Sequence, residues 1–251
     1  FVGILLAKMG NKASTVANFF SQFNDLMMEM TMAVMKAAPI GVFCLIARTF
    51  ANIGFDAFVP MLKYMGCVIL ALAIQCFVVY QLLLFLFTRL NPFKFLKKFF
   101  PVMNFAFTTA TSNATIPLSI NTLDKKLGVS KKISSFTIPL GATVNMDAVS
   151  ILMSFMIMFF ANACGIHVSI PLMIIILLAN VLLSVGTPGV PGGAIASFAA
   201  LATMAGLPAG VLGVYISINT LCDMGATCVN VIGDMACCSV LKNVIQIEEE
   251  A

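Results

Sequence analysis

The chain has 251 residues, of which 61% are hydrophobic and only 10% are charged, and its mean hydropathy is +1.05. Soluble globular domains carry about 25% charged residues, so these values exclude that class and predict an all-α integral membrane protein. The net charge of +4 comes mostly from clustered lysines. Such clusters set the topology of membrane proteins, and their pattern argues against nucleic-acid binding.

The amino-terminal part contains two apolar segments. The sequence begins at Phe1 within an apolar run, without a basic region or a cleavage site, which predicts an amino-terminally truncated piece of a longer protein. Residues 19–52 form one amphipathic-to-apolar stretch that contains Pro39. Residues 65–88 carry no charged side chain and are long enough for one tilted transmembrane helix.

Two lysine clusters, at residues 94–98 and 125–132, flank the next apolar run. A single span between them would place strong positive charge on both sides of the membrane, against the positive-inside rule. The run also carries Thr, Ser and Asn side chains at residues 108–115. We therefore predict a re-entrant helical hairpin over residues 99–124, with its tip at 111–115 and both ends in the cytoplasm.

The following span is predicted to cross outward as a broken helix. Residues 134–143 are helical in character with a kink at Pro139, and residues 148–163 form a second apolar half. The polar segment 144–147 separates the two halves. A turn at residues 165–169 then ends the span.

A second hairpin is predicted from residues 170–184 and 194–205. The segment between them, residues 186–193, is too rich in glycine and proline for a helix interior. No lysine lies at the base of this hairpin, as expected for the opposite membrane face. The last helix, about 209–241, crosses back and places Lys242 and the carboxyl terminus in the cytoplasm.

A hairpin followed by a broken helix therefore occurs twice, with opposite orientations. Inverted repeats whose discontinuous helices meet at the membrane midplane are typical of secondary transporters. Non-helical backbone at that depth is tolerated only around a cavity that the protein lines. The repeat predicts a transporter with two re-entrant hairpins and discontinuous helices.

Three aspartates, Asp147, Asp223 and Asp234, lie in this apolar and glycine-punctuated region without a basic partner. Residues 148–222 contain no Lys, Arg, Asp or Glu at all. Because one Asp at the bilayer centre costs on the order of 2.5–3.5 kcal/mol on insertion scales, three would be hard to retain without a role. They predict a cation site.

The last helix carries Asp223, Asn230 and Asp234, spaced by seven and then four residues. At about 100° per residue these side chains fall within roughly 40° of one another, with Asn219 and Thr227 at the border of the stripe. A polar seam between helices is the structural alternative. Helix capping is the alternative for the segment 145–147, and a plain connecting loop is the alternative for 186–193.

At these positions the chain resembles the dicarboxylate/amino acid:cation symporter family, the glutamate transporter homologues. Four motifs in family order carry the resemblance, and they occupy residues 38–43, 138–147, 186–192 and 223–234. The resemblance implies sodium-coupled uptake by an elevator mechanism in a homotrimer of the plasma (cell inner) membrane, with the second hairpin as extracellular gate. It implies no organic cofactor and no enzymatic activity.

The resemblance also implies a division of the chain. Residues 1–52 would be the remnant of a scaffold or oligomerisation region, and residues 53–251 would form the transport domain that binds substrate and ions. An amino acid, sodium and membrane lipid are the implied partners.

Site residues follow from motif positions. One sodium would be held by Asp234, Asn230 and the carbonyls of Gly141 and Asn145; another by Asp147 with Asn145; and a third by the carbonyls of Thr143, Ser184, Val185 and Thr187. Oxygen ligands of this kind suit hard cations. The implied substrate residues are Ser112, Asn113, Val149, Gly189, Asp223, Ala226, Thr227 and Asn230, with the α-ammonium on Asp223 and the α-carboxylate on Ser112 and Asn230.

Three departures from the family pattern bear on the substrate. Members that take acidic substrates carry an arginine in the eighth helix or the first hairpin, where this chain has Ala226 and Ala110. Val149 replaces a threonine that contacts the second carboxylate. Because a buried carboxylate without a charged partner costs several kcal/mol, we predict a small neutral amino acid as substrate. An acidic amino acid or dicarboxylate is the alternative within the family.

Two other classes of membrane protein are alternatives to a symporter. An intramembrane aspartyl protease uses paired aspartates with a Gly-x-Gly-Asp motif, whereas this chain has Val231-Ile232-Gly233-Asp234. An uncoupled channel would also accommodate acidic residues and broken helices. Saturable, sodium-dependent and concentrative uptake separates a symporter from a channel.

Overall fold

The structure is a computed structural model that describes residues 2–36, 40, 43–44, 47, 51 and 58–245. Within these residues it is helical and has no β-strand, which confirms the all-α prediction. The chain divides into two compact units, Phe1–Ala47 and Arg48–Ala251. The predicted boundary between residues 52 and 53, Pro39 and most of the motif at 38–43 lie outside the described residues.

The first unit contains two helices joined by a short 3-10 turn. Helix α1 spans Val2–Met9, the turn spans Gly10–Ala13, and helix α2 spans Ser14–Met35. Gly10 has a φ of 54°, in the left-handed region that glycine adopts without a Cβ clash. The predicted stretch at residues 19–52 starts at residue 19, whereas the helix in the structure starts several residues earlier, at Ser14.

The second unit opens with one long apolar span. Helix α3 spans Phe58–Ile74, a π-helical turn follows at Gln75–Val79, and helix α4 continues over Tyr80–Thr88. The span ends at Arg89, whose backbone is left-handed and whose amide donates to the Phe85 carbonyl. The predicted transmembrane helix at 65–88 is present, but its π turn was not foreseen.

The next pair of helices packs together across a two-residue connection. Helix α5 spans Pro92–Thr109 and helix α6 spans Ser112–Leu127. Asn91 caps α5 and Thr111 caps α6, each by accepting a backbone N–H near the helix start. Ala110 takes a left-handed conformation with φ 49°. The tip is therefore residues 110–111 rather than 111–115, because Thr111 starts the next helix directly.

Lysines join the ends of several helices at one end of this unit. The ammonium groups of Lys98 and Lys126 each donate to the other residue's carbonyl, at 2.7 Å. Lys242 donates to the Leu127 carbonyl at 2.6 Å, and Lys131 lies 3.5 Å from the Asp124 carboxylate. Cations at the carboxyl end of α6 are favourable, because the helix carries partial negative charge there. Both lysine clusters and Lys242 thus share one end.

The predicted broken helix is present. Helix α7 spans Lys131–Val144 and helix α8 spans Asp147–Ala163, with Asn145 and Met146 outside both. Helix α9 follows over Ile170–Val185, and helix α10 spans Ala194–Met204 after the connection at residues 186–193. Helix α11, Val211–Val244, ends the described chain and packs against α3 to α8 and α10. It forms the centre of the unit.

Three helical stretches among the described residues are long and apolar enough to cross a membrane. They are Pro60–Thr88, Lys131–Ala163 and Leu221–Val244. This agrees with the predicted membrane class. The re-entrant paths of the pairs α5/α6 and α9/α10 through a bilayer stay predictions.

Candidate functional site

The break between α7 and α8 brings polar groups onto the central helix. Asn145 leaves helical geometry, with φ −87° and ψ 72°, and its side-chain amide donates to two groups of α11. These are the Asn230 carbonyl at 3.1 Å and the Asp234 carboxylate at 2.9 Å. Asn145 therefore forms one group with Asn230 and Asp234, which lie more than 80 residues later in the sequence.

The Asn230 side chain contacts both the break and the start of helix α8. Its amide oxygen accepts the backbone N–H of Ala148 at 2.9 Å, and its amide nitrogen lies 3.3 Å from the Met146 sulfur. Asn230 and Asp234 are only 1% and 3% exposed. A buried amide and a buried carboxylate at this depth need polar partners, and the broken helix supplies them.

Two glycines allow this close packing. A Cβ on Gly141 would collide with the Asp234 carboxylate, so α7 approaches α11 only because that position has no side chain. A Cβ on Gly233 would collide with the Tyr80 hydroxyl and with the Asn145 amide. Steric contacts thus explain why glycine is needed at both motif positions, 141 and 233.

Asp147 begins helix α8 and faces the first transmembrane span. One of its carboxylate oxygens, Oδ2, accepts hydrogen bonds from the Gln75 amide and the Tyr80 hydroxyl. The other, Oδ1, accepts the Ala148 backbone N–H at 2.9 Å. Sequence reasoning missed Gln75 and Tyr80. The available signal was the polar side chains of Gln75, Tyr80 and Gln81 in the middle of a largely apolar run.

The connections of the two helix pairs, residues 110–111 and 186–193, lie against each other. The Thr111 hydroxyl donates to the Gly189 carbonyl at 2.7 Å, and the backbone N–H of Asn113 donates to the same carbonyl at 3.3 Å. A Cβ on Gly189 would lie 2.7 Å from the Ala142 carbonyl oxygen. Gly189 therefore fits between the first tip and the broken helix only without a side chain.

A small cavity of about 10 Å³ lies where these elements converge. That is about the volume one water molecule needs. Six of the eight predicted substrate residues line it: Ser112, Val149, Gly189, Asp223, Thr227 and Asn230. Asn113 contacts Gly189 beside it, and Ala226 is fully buried one residue before Thr227. Ala110, Met146 and Thr187 also contribute to the lining.

Asp223 is the acidic residue of this lining, and it is only 8% exposed. Its carboxylate accepts the backbone N–H of Gly192 at 3.3 Å. Gly192 has a φ of 75°, a left-handed conformation that favours glycine. No Lys or Arg is among the described residues that line the cavity. The carboxylate thus has no cationic partner there.

Among the described contacts, no side-chain hydrogen bond joins two members of the third predicted sodium set. The Thr143 hydroxyl is exposed and donates to the Leu140 carbonyl at 2.9 Å. Thr187 is buried, and its hydroxyl donates to the Leu183 carbonyl and lies 3.1 Å from the Ser197 hydroxyl. Ser184 donates to the carbonyl of Val181, and Val185 is 46% exposed. Their role as carbonyl ligands stays a prediction.

The two other predicted sodium sets are each built around a single aspartate, Asp147 or Asp234. Among the described residues there is no group of three or more His, Cys, Asp and Glu side chains that could hold a metal ion. The Asp147 carboxylate accepts hydrogen bonds from the Gln75 amide, the Tyr80 hydroxyl and the Ala148 backbone N–H, and the Asp234 carboxylate accepts one from the Asn145 side-chain amide. The role of both carboxylates as sodium ligands stays a prediction.

Comparison with known proteins adds independent information. The family model described as "Sodium:dicarboxylate symporter family" matches residues 1–244. The chain is 33% identical over 245 residues to a mouse protein named neutral amino acid transporter B(0), covering 97% of this chain and 44% of that protein. The human protein of that name is 32% identical over 250 residues, covering 98% and 46%.

A second kind of relative is about equally similar. A Caenorhabditis elegans protein named excitatory amino acid transporter is 32% identical over 235 residues, covering 93% of this chain and 47% of that protein. The chain thus spans about half the length of the relatives it matches. These relatives are named as transporters and not as enzymes.

Proposed function

This chain belongs to the sodium:dicarboxylate symporter family, and we propose that it imports a small neutral amino acid together with sodium across the plasma membrane. The observation that carries the proposal is the cavity beside Asp223. It combines one buried carboxylate with the apolar side chains of Ala110 and Val149. The chain is about equally identical to the neutral and the excitatory amino acid transporters. The choice between these substrate classes therefore rests on the residues that line the cavity.

Asp223 suits the α-ammonium group of an amino acid. It is buried at the cavity wall, and the hydrogen bond from Gly192 stabilises its charge without neutralising it. An ammonium group would add a charge-assisted hydrogen bond, which is roughly twice as strong as a neutral one. This favours an amino acid over a dicarboxylate without an amino group.

The α-carboxylate would lie at the amino-terminal end of α6. That helix begins at Ser112 in the cavity lining, where its partial positive charge favours an anion. Ser112 and Asn230 add polar side chains to the same wall. Such a site binds one carboxylate, and the apolar surface of Ala110 and Val149 offers nothing to a second.

Sodium would bind at the broken helix. Asp234, Asn230, Asn145 and the Gly141 carbonyl would hold one ion, while Asp147 with Asn145 would hold another. A third would lie under the second pair at the carbonyls of Thr143, Ser184, Val185 and Thr187. The hydrogen bonds from Asn145 and to Asn230 join these positions to the cavity, so ion binding and substrate binding would influence each other.

The cavity is too small for even alanine without movement. We assign the movement to residues 186–193, which would open as the gate of a re-entrant pair. An elevator motion, a homotrimer, contact with membrane lipid and a cytoplasmic lysine-bearing end complete the proposal. In it, residues 53–251 form the transport domain and residues 1–52 belong to the scaffold.

Uptake of competing substrates tests the proposal. The protein expressed from its complete reading frame is reconstituted in liposomes with an inward sodium gradient and offered labelled serine, alanine, threonine and aspartate. We expect sodium-dependent uptake of the neutral amino acids and little uptake of aspartate. Preferential aspartate uptake would refute the substrate assignment while leaving the family intact, and uptake without sodium dependence would refute the ion assignment.

A further inference from the structure

The polar contacts of Asp147 with the first transmembrane span carry one inference beyond the proposed function. Gln75 and Tyr80 lie in the long apolar stretch Pro60–Thr88, and both donate hydrogen bonds to Oδ2 of Asp147. Tyr80 is only 8% exposed. Neither residue lines the substrate cavity, so these contacts serve something other than direct contact with the substrate.

The π-helical turn explains how both side chains reach one carboxylate. In an α-helix, residues five apart point about 140° away from each other, so only one of the two would face Asp147. In this turn the Tyr80 backbone N–H bonds to the Gln75 carbonyl, an i to i+5 bond that places the two residues above one another. Such turns are often found at functional sites.

The Asp147 carboxylate can accept more hydrogen bonds than it receives. Its neighbours therefore orient it without blocking it from a cation. An ionised carboxylate offers about four acceptor sites. Gln75 and Tyr80 occupy Oδ2, and the Ala148 backbone N–H takes one site on Oδ1. One site remains for a cation. Because all three donors are neutral, the carboxylate also keeps the charge that attracts one.

Tyr80 is fixed from the opposite side as well. A Cβ on Gly233 would collide with its hydroxyl, so the ring lies directly against the backbone of α11, next to Asp234. The hydroxyl thereby lies between the helix that carries Asp234 and the carboxylate of Asp147. Small shifts of the span Pro60–Thr88 would therefore be transmitted to Asp147.

We propose that Gln75 and Tyr80 are positioning residues that aim the Asp147 carboxylate at a coupling sodium ion and thereby set the affinity for that ion. This inference depends on the proposed function. Groups that orient a metal ligand typically change metal affinity by about 10- to 100-fold when they are removed. Proteins bind sodium more weakly than the metals for which this range was measured. We therefore expect a change in sodium affinity near the lower end, about tenfold.

The test measures sodium affinity in two ways. For wild type, Tyr80→Phe and Gln75→Met, we would determine the sodium concentration for half-maximal serine uptake, and the sodium dependence of the thermal unfolding midpoint without substrate. Both variants keep the approximate size of the side chain. We expect Tyr80→Phe to raise the half-saturating sodium concentration about tenfold, with Gln75→Met changing it in the same direction. Maximal uptake at saturating sodium should stay within about twofold.

Tyr64→Phe is the matched control. Tyr64 lies in the same span and is 4% exposed, but its hydroxyl lies beside the Cys222 thiol and not beside Asp147. This variant should leave the half-saturating sodium concentration unchanged.

The possible results separate the inference from the proposed function. An unchanged or lowered half-saturating concentration in Tyr80→Phe, or an equal rise in Tyr64→Phe, would overturn the positioning role while sodium coupling stands. A wild-type protein without any sodium dependence would instead overturn the proposed function, and with it the basis of this inference.

Discussion

The two helix pairs differ in how they are held. The pair α5/α6 has a two-residue connection, and lysines bond carbonyls across its base. The pair α9/α10 has the longer glycine- and proline-containing connection 186–193, and no charged residue lies anywhere between residues 148 and 222. The tip of the first pair also anchors the second connection, through Thr111 and Gly189. We therefore propose that the first pair stays in place while the connection of the second pair opens and closes the cavity.

Removing the charge of the cavity should have the largest effect on this arrangement. Asp223→Asn keeps the shape but loses the charge that we assign to the α-ammonium group. We expect serine uptake to fall at least about 100-fold, since removing one member of a buried charge pair costs about 3–5 kcal/mol. Sodium-dependent thermal stabilisation should persist in this variant. Normal uptake would remove Asp223 from the substrate site.

The close approach of Gly189 gives the next largest effect. Gly189→Ala would place a Cβ 2.7 Å from the Ala142 carbonyl and so prevent the second connection from closing. We expect uptake to fall about tenfold or more, a loss of at least about 1.4 kcal/mol of stabilisation of the closed form. Gly186→Ala is the control, because its Cβ would meet only an ordinary contact of 3.7 Å. Equal losses in both variants would argue against a specific closing contact.

The hydrogen bond from Thr111 should matter less. Thr111→Val keeps the side-chain shape and removes the donor to the Gly189 carbonyl, at a cost of about 1 kcal/mol, together with the side-chain cap of α6. We expect the rate of serine uptake to fall about threefold to tenfold. Thr108→Val, on the exposed side of the same tip, removes a hydroxyl that bonds only within α5 and should have no effect. The comparison of the two pairs would be weakened if both variants behaved alike.

The lysine contacts at the base of the first pair should have the smallest effect. Lys98 and Lys126 are exposed, and exposed charged contacts contribute little in high dielectric. The double substitution Lys98→Ala with Lys126→Ala should leave uptake within about twofold and shift the unfolding midpoint by no more than about 2 °C. A large loss of sodium-driven uptake would mean that these contacts matter for transport. It would contradict the view that the first pair only holds its position.

Much of the fold followed from local chemistry. The break at Asn145 and Met146 was predictable because a polar segment interrupts two apolar halves, and the connection 186–193 because glycine and proline stop helices. The α-helical period also placed Asn230 and Asp234 on one face, and the structure brings both to Asn145.

The missed parts depend on geometry that the sequence does not encode locally. Gln75 and Tyr80 face Asp147 only through a π-helical turn, and an α-helical reading separates them. The meeting of Thr111 with Gly189 is a long-range contact, and so is the collision that keeps Gly233 small. Spacing along the chain carries no direct signal for such contacts.

The most direct test of sodium-coupled symport is a time course of serine accumulation in liposomes. With high sodium outside and none inside, the account predicts a transient rise of internal serine above the external concentration, followed by a decline as the gradient dissipates. With equal sodium on both sides, it predicts simple equilibration. Equilibration without a transient rise under both conditions would contradict symport and favour an uncoupled pathway.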